Sequence, residues 1–149
     1  MEAECGAAII GNGGIAVEVA YPESTPITVN SRLLLINGSV SGRTDWYLYA
    51  YFGAPIAGDL VIPVEIRRHR KGRYGTRAVA TVPKIAGGYG SVRSFRLTSA
   101  KNVKGADGEI HHPVTGRCTD GKLQFEVGAK LADRGFRPTE VERACSPRA

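Results

Sequence analysis

Nowhere does the chain hold the roughly 18 consecutive apolar residues that a membrane-crossing helix requires, so no helical span is expected. Met1-Glu2-Ala3-Glu4 is acidic and no apolar segment follows, so no secretory signal is written there: the chain is cytosolic or a signal has been removed. Cysteine is scarce. Cys5, Cys118 and Cys145 form no C-x2-C, and no paired His-x3-His completes a zinc motif. His111 and His112 are adjacent, so on an extended chain they point to opposite faces and do not share an ion. No metal and no cofactor is expected. Ser91 lacks the G-x-S-x-G elbow, and Gly11-Asn12-Gly13-Gly14 lacks the spacing of a nucleotide-binding loop. The carboxylates Glu18, Asp45, Glu65, Asp107, Asp120 and Glu126 are scattered, and no nucleophile stands beside a base. A non-enzyme is therefore favoured.

Long helices are missing too. With 19 Gly and 8 Pro against 42% hydrophobic residues in 149, the chain reads as many short segments punctuated by turns. That composition indicates one all-β domain over residues 1–149: a single antiparallel β-sandwich, immunoglobulin-like or jelly-roll in style, with roughly eight to ten strands. The net charge of +6 points toward an anionic polymer or a cell-surface component as partner.

The stretch Tyr74 to Thr98 reads as strand, glycine turn and strand. Thr76, Ala78, Ala80 and Val82 alternate with Arg77, Val79 and Thr81, and Ala86-Gly87-Gly88-Tyr89-Gly90 allows a reversal. Val92, Phe95 and Leu97 mark the returning strand of an expected hairpin. Toward the N-terminus, Asn12-Gly13 signals a turn between a short strand and the alternating strand Ile15 to Tyr21, and Asn37-Gly38 is expected to stop the apolar run Leu33 to Ile36. Thr44 to Phe52 should be a central strand, with Trp46, Leu48 and Ala50 facing the core and Tyr47, Tyr49 and Tyr51 forming a ladder on the other face. Pro63 places the strand Leu60 to Arg68 at an edge or a bulge. Lys101 to Gly108 reads as a polar loop. Strands are expected around Val114 to Cys118, Lys122 to Lys130 and Thr139 to Cys145, the first two joined at Asp120-Gly121, with Leu123, Phe125 and Val127 pointing inward.

Two surfaces are functional candidates. Arg67, Arg68, Arg70, Lys71 and Arg73 crowd one hairpin tip, where they would attract a polyanion or simply shield an edge strand from aggregation. No aromatic signature of RNA binding is interleaved with them, which argues against nucleic acid. The tyrosine ladder would suit sugars or stacked bases, or serve only as cross-strand packing. An alternative reading, a secreted hydrolase of glycans or wall polymers, would take Asp45 and the neighbouring tyrosines as its site. For the cysteines, three reduced thiols and a Cys118–Cys145 bond both remain open, the bond being worth roughly 3–4 kcal/mol in the chain-entropy model.

Val82-Pro83-Lys84-Ile85-Ala86-Gly87-Gly88-Tyr89-Gly90-Ser91, then Cys118-Thr119-Asp120-Gly121-Lys122-Leu123 and a last Cys145-Ser146-Pro147, resembles exported β-rich proteins of soil actinobacteria over roughly Val40 to Cys145. The resemblance implies export to the extracellular space, a β-sandwich and a disulfide between Cys118 and Cys145, leaving Cys5 outside it. It implies no activity. The chain departs from that pattern at Leu131-Ala132-Asp133-Arg134-Gly135-Phe136, where Arg134 stands between Asp and Gly.

Overall fold

The computed structural model describes residues 6–40, 43–55, 57–69, 73–99, 102–104, 108–112, 114–116, 118, 120–131 and 135–146. The described chain is almost entirely β, and its main element is a curled antiparallel sheet of six strands. Two compact units are formed, one from residues 1–67 and 77–113, the other from 68–76 and 114–149.

The main sheet of the first unit has six strands: β1 (Ile9–Val19), β2 (Ile27–Val40), β3 (Arg43–Phe52), β4 (Gly58–Arg68), β5 (Thr76–Ala80) and β6 (Gly90–Thr98). They lie in the order β5-β4-β3-β2-β1-β6. Period-two alternation sends one set of side chains to one face: Ile15, Val17 and Val19 from β1, Val29 and Leu33 from β2, Ala50 and Phe52 from β3, and Leu60 and Ile62 from β4. Leu33 pairs with Gly13 on one side and with Ala50 on the other, and both Leu33 (1% exposed) and Ala50 (0%) are sealed. Each large apolar side chain so buried contributes about 1.5–3 kcal/mol, which makes this face the source of the unit's stability.

Three local expectations are overturned here. Asn12-Gly13 makes no turn, because β1 runs unbroken through it. A Cβ at Gly13 would collide with the backbone carbonyl of Arg96 on β6, so the glycine serves close strand approach rather than reversal. Nor does Asn37-Gly38 stop β2: the strand continues to Val40, and the Tyr47 ring fills the space over Gly38, 2.7 Å from where a Cβ would stand. The third concerns the segment Tyr74 to Thr98, which is not a hairpin. β5 and β6 occupy opposite edges of the sheet. The glycine turn does exist, as a single turn of 3-10 helix at Ala86–Gly88 with Ile85 bridged to Gly90. It sits within a crossover, and Ile85 and Ala86 pack against the core on the way. Tyr89 accepts a hydrogen bond from the Ala20 amide at 2.9 Å and its ring meets Tyr21 at 5.4 Å, which delivers the chain to the side of β1.

Trp46 lies on the core side of β3 opposite Val64, as its alternation requires, but near the strand's end and only half-buried. It flanks the core rather than centring it. β4 is interior to the sheet, so Pro63 is not on an edge strand; β5 is only five residues long against the eleven of β4 and cannot cover its whole length. A missing N–H is tolerated where no neighbour asks for it. The segment read as a polar loop contributes β7 (Val103–Lys104), paired with β8 (Ile110–His111).

In the second unit, β9 (Lys122–Leu131) and β10 (Gly135–Ala144) form one regular hairpin, from Gly135 opposite Leu131 to Ala144 opposite Lys122. Arg134 lies outside the described residues, and the pairing on both sides of it is unbroken. No strand covers Val114 to Cys118 among the described residues; Asp120-Gly121 instead opens β9, the Asp120 carboxylate accepting from the Lys122 amide at 3.2 Å. Leu123, Phe125 and Val127 share a face as alternation demands, yet Val127 is 62% exposed and Phe125 is exposed too, since a two-stranded sheet buries little between its own strands. Cys118 and Cys145 are disulfide-bonded, with Cα atoms 6.1 Å apart, tying the lead-in of β9 to the end of β10. Cys5 lies outside the described residues.

Candidate functional site

The face of the six-stranded sheet opposite the main core carries polar and aromatic side chains together with two aliphatic neighbours of Tyr49, the buried Leu34 and the exposed Val61. On β3 that face carries Asp45, Tyr47, Tyr49 and Tyr51, so the expected tyrosine row is present and shares no face with the core. Tyr47 lies over Gly38. The Tyr49 hydroxyl donates to Asp59 Oδ1 at 2.6 Å. That hydrogen bond, with partial desolvation and the nearby carboxylate charge adding to it, pushes the Tyr49 phenol up to about 12. Tyr51 is the outermost of the three, 60% exposed. Two rings are thus held in place by specific neighbours while the third is open, as in a surface that presents aromatic area without paying ordering entropy on contact.

Asp45, the carboxylate singled out for a hydrolase, is 6% exposed at the start of the β3 ladder, opposite Gly38. The β3–β4 pairing ends at Trp46 opposite Val64, so Asp45 and Glu65 are the first positions beyond it on their two strands. Glu65 accepts a hydrogen bond from the Arg67 guanidinium. The remaining candidates are dispersed: Glu18 faces Arg93 at 3.8 Å on the β1–β6 side, Asp120 caps the start of β9, Glu126 stands on β9, and Asp107 lies outside the described residues. Among the described residues no group of three or more His, Cys, Asp and Glu is arranged to hold a metal ion.

The basic tip is the connection between β4 and β5, closed by the His69 amide donating to the Gly75 carbonyl at 2.9 Å. Arg70 and Lys71 lie outside the described residues. Arg68 is exposed. Arg67 is engaged by Glu65, and Arg73 is engaged three ways: its Nε donates to Gln124 at 2.9 Å, its Nη2 approaches Glu140 at 3.5 Å, and its guanidinium stands 5.4 Å from the Tyr74 ring centre. Tyr74 also donates to Glu140 at 3.3 Å; desolvation first, opposed by the Arg73 charge, leaves its phenol above the ordinary value. The tip therefore seats itself on the polar side of the β9–β10 hairpin, where Lys122 and Glu142 form a further ion pair at 3.2 Å.

Sequence reasoning missed the Tyr49–Asp59 pair and a second feature of the open face, a hollow over β1 lined in part by Asn30, Ser94 and Arg96. Nothing local marks these residues. They meet only through the β2-β1-β6 register.

The chain as a whole is a disulfide-linked all-β protein whose described residues include no helix long and apolar enough to cross a membrane. No protein family, curated protein or solved structure matches it.

Proposed function

We propose that this is an exported, non-enzymatic binding module that attaches to a surface or wall polysaccharide through the open face of its six-stranded sheet. The observation that carries the reading is the tyrosine row. Tyr47, Tyr49 and Tyr51 lie on one strand of a sheet whose opposite face is a sealed core, so aromatic area is displayed on a rigid support. Export is supported by the Cys118–Cys145 bond, which persists in oxidising compartments. The basic tip supports the polyanion reading less well, since Arg67 and Arg73 already have carboxylate partners.

The test is co-sedimentation with insoluble polysaccharides, comparing the wild type with Tyr51→Ala. Because Tyr51 is exposed, its replacement should spare the fold, with binding falling about tenfold, or about 1.4 kcal/mol, at an unchanged melting temperature. Equal retention of both proteins would remove the open face from the account. A hydrolytic reading is favoured by one observation, that Asp45 and Glu65 are the first positions past the same end of the β3–β4 pairing. It requires soluble sugar release that Glu65→Gln abolishes.

A further inference from the structure

Strand register brings together, on the open face, a set of side chains that are far apart in sequence. Gly14 on β1 lies between Arg32 on β2 and Arg96 on β6; the next outward position, Ala16, lies between Asn30 and Ser94. Gly14 and Ala16 raise almost nothing above the sheet, and the result is a hollow of about 390 Å³ lined by Gly14, Ala16, Asn30, Ser94 and Arg96 among others. It is an open depression on the sheet surface rather than an enclosed cleft, with a volume in the roughly 300–1,000 Å³ range of small-ligand sites. Arg32 and Arg96 stand on the strands either side of Gly14, two strand spacings or roughly 10 Å apart between backbones, and of the two it is Arg96 that lines the hollow.

The chemistry of the lining is selective. Among the described residues, no side-chain partner engages the Arg96 guanidinium, the Asn30 amide or the Ser94 hydroxyl. All three are exposed, and each keeps its hydrogen-bonding capacity for a ligand. A guanidinium presents a planar fork that matches a carboxylate, while an amide and a hydroxyl suit ring hydroxyls. The next arginine along β6 is different: Arg93 sits in the β1–β6 register shift and faces Glu18 at 3.8 Å.

We propose that this hollow is a saccharide subsite that selects an acidic sugar, its carboxylate held by Arg96 and its hydroxyls held by Asn30 and Ser94. The proposal rests on the polysaccharide-binding reading above and sharpens it to a uronic-acid-containing polymer. A net charge of +6 favours the approach of such a ligand.

Titration calorimetry with tetragalacturonate and with a neutral tetrasaccharide of the same length tests it, using the wild type, Arg96→Gln and Arg93→Gln. The acidic sugar should bind the wild type at least tenfold more tightly than the neutral one. Arg96→Gln should erase that preference without weakening the neutral sugar, and Arg93→Gln, which removes the same charge outside the hollow, should leave it within twofold. Thermal melting confirms that each variant is folded, and both substitutions are at exposed positions. If the wild type binds both sugars equally, the subsite is overturned while the binding module stands; if neither sugar nor any polysaccharide binds, both readings fall together. Equal losses in the two variants would reduce the effect to net charge and overturn the subsite. Polyphosphate binding as tightly as tetragalacturonate, and equally dependent on Arg96, would make the hollow a general anion site and overturn the sugar assignment.

Discussion

The two faces of the six-stranded sheet share one backbone and differ in almost everything else. One face is a sealed core of Ile15, Val17, Leu33, Ala50 and Ile62; the other carries Tyr47, Tyr49, Tyr51, Arg32, Asn30 and Arg96 in contact with solvent. Because side chains alternate strictly, neighbouring residues on one strand do separate work. Stability resides in one set and, on the function proposed above, recognition in the other, so substitutions a single residue apart should have unlike consequences.

The largest break is on the core face. Leu33→Ala should cost about 2–5 kcal/mol, since the cavity would open between Gly13 and Ala50 where little can collapse into it; denaturant unfolding measures it. Outside the sheet, the β9–β10 hairpin lacks such a core and relies on its cross-link. Replacing Cys118 and Cys145 by Ser should cost about 3–4 kcal/mol of that unit's stability in the chain-entropy model, seen as faster amide exchange in β9 and β10 with β1 to β4 unaffected. Gly13→Ala should cost about 1–3 kcal/mol despite adding only a methyl group, because the Arg96 backbone must move to admit it; a melting curve decides this.

The smallest effect belongs to the open face and sharpens the contrast. The folded protein holds Tyr49 protonated beyond its ordinary 10.0, up to about 12, by its bond to Asp59. A raised folded value favours the protonated, folded form, so this contribution is complete below about pH 10 and is lost as pH rises through about 12. Ultraviolet titration should show Tyr49 ionising late, and Asp59→Asn should return it toward its ordinary range. Tyr74 also ionises above its ordinary value, so Tyr49→Phe is needed to assign the late signal.

The fold class was legible because period-two alternation runs through Ile15 to Val19, Trp46 to Phe52 and Leu60 to Val64, and the tyrosine row followed from the same period. The strand order was not. Asn12-Gly13 and Asn37-Gly38 carry strong reversal signals, but one glycine admits the backbone of β6 and the other lies beneath the Tyr47 ring, contacts that only the assembled sheet supplies. The glycine turn near Gly87 was legible as a turn and misleading as a hairpin, because local geometry does not reveal which edge of the sheet the chain joins next. Asn30, Ser94 and Arg96 gave no sequence signal as a group, since their meeting depends on β1 lying between β2 and β6.

The central claim is that recognition resides on the open face. Amide chemical-shift mapping with tetragalacturonate tests it most directly: the account predicts shifts concentrated at Gly14, Ala16, Asn30, Arg32, Ser94 and Arg96 and extending to Tyr49 and Tyr51. Shifts confined to the basic tip around Arg68 and Arg73, with the sheet silent, would contradict it.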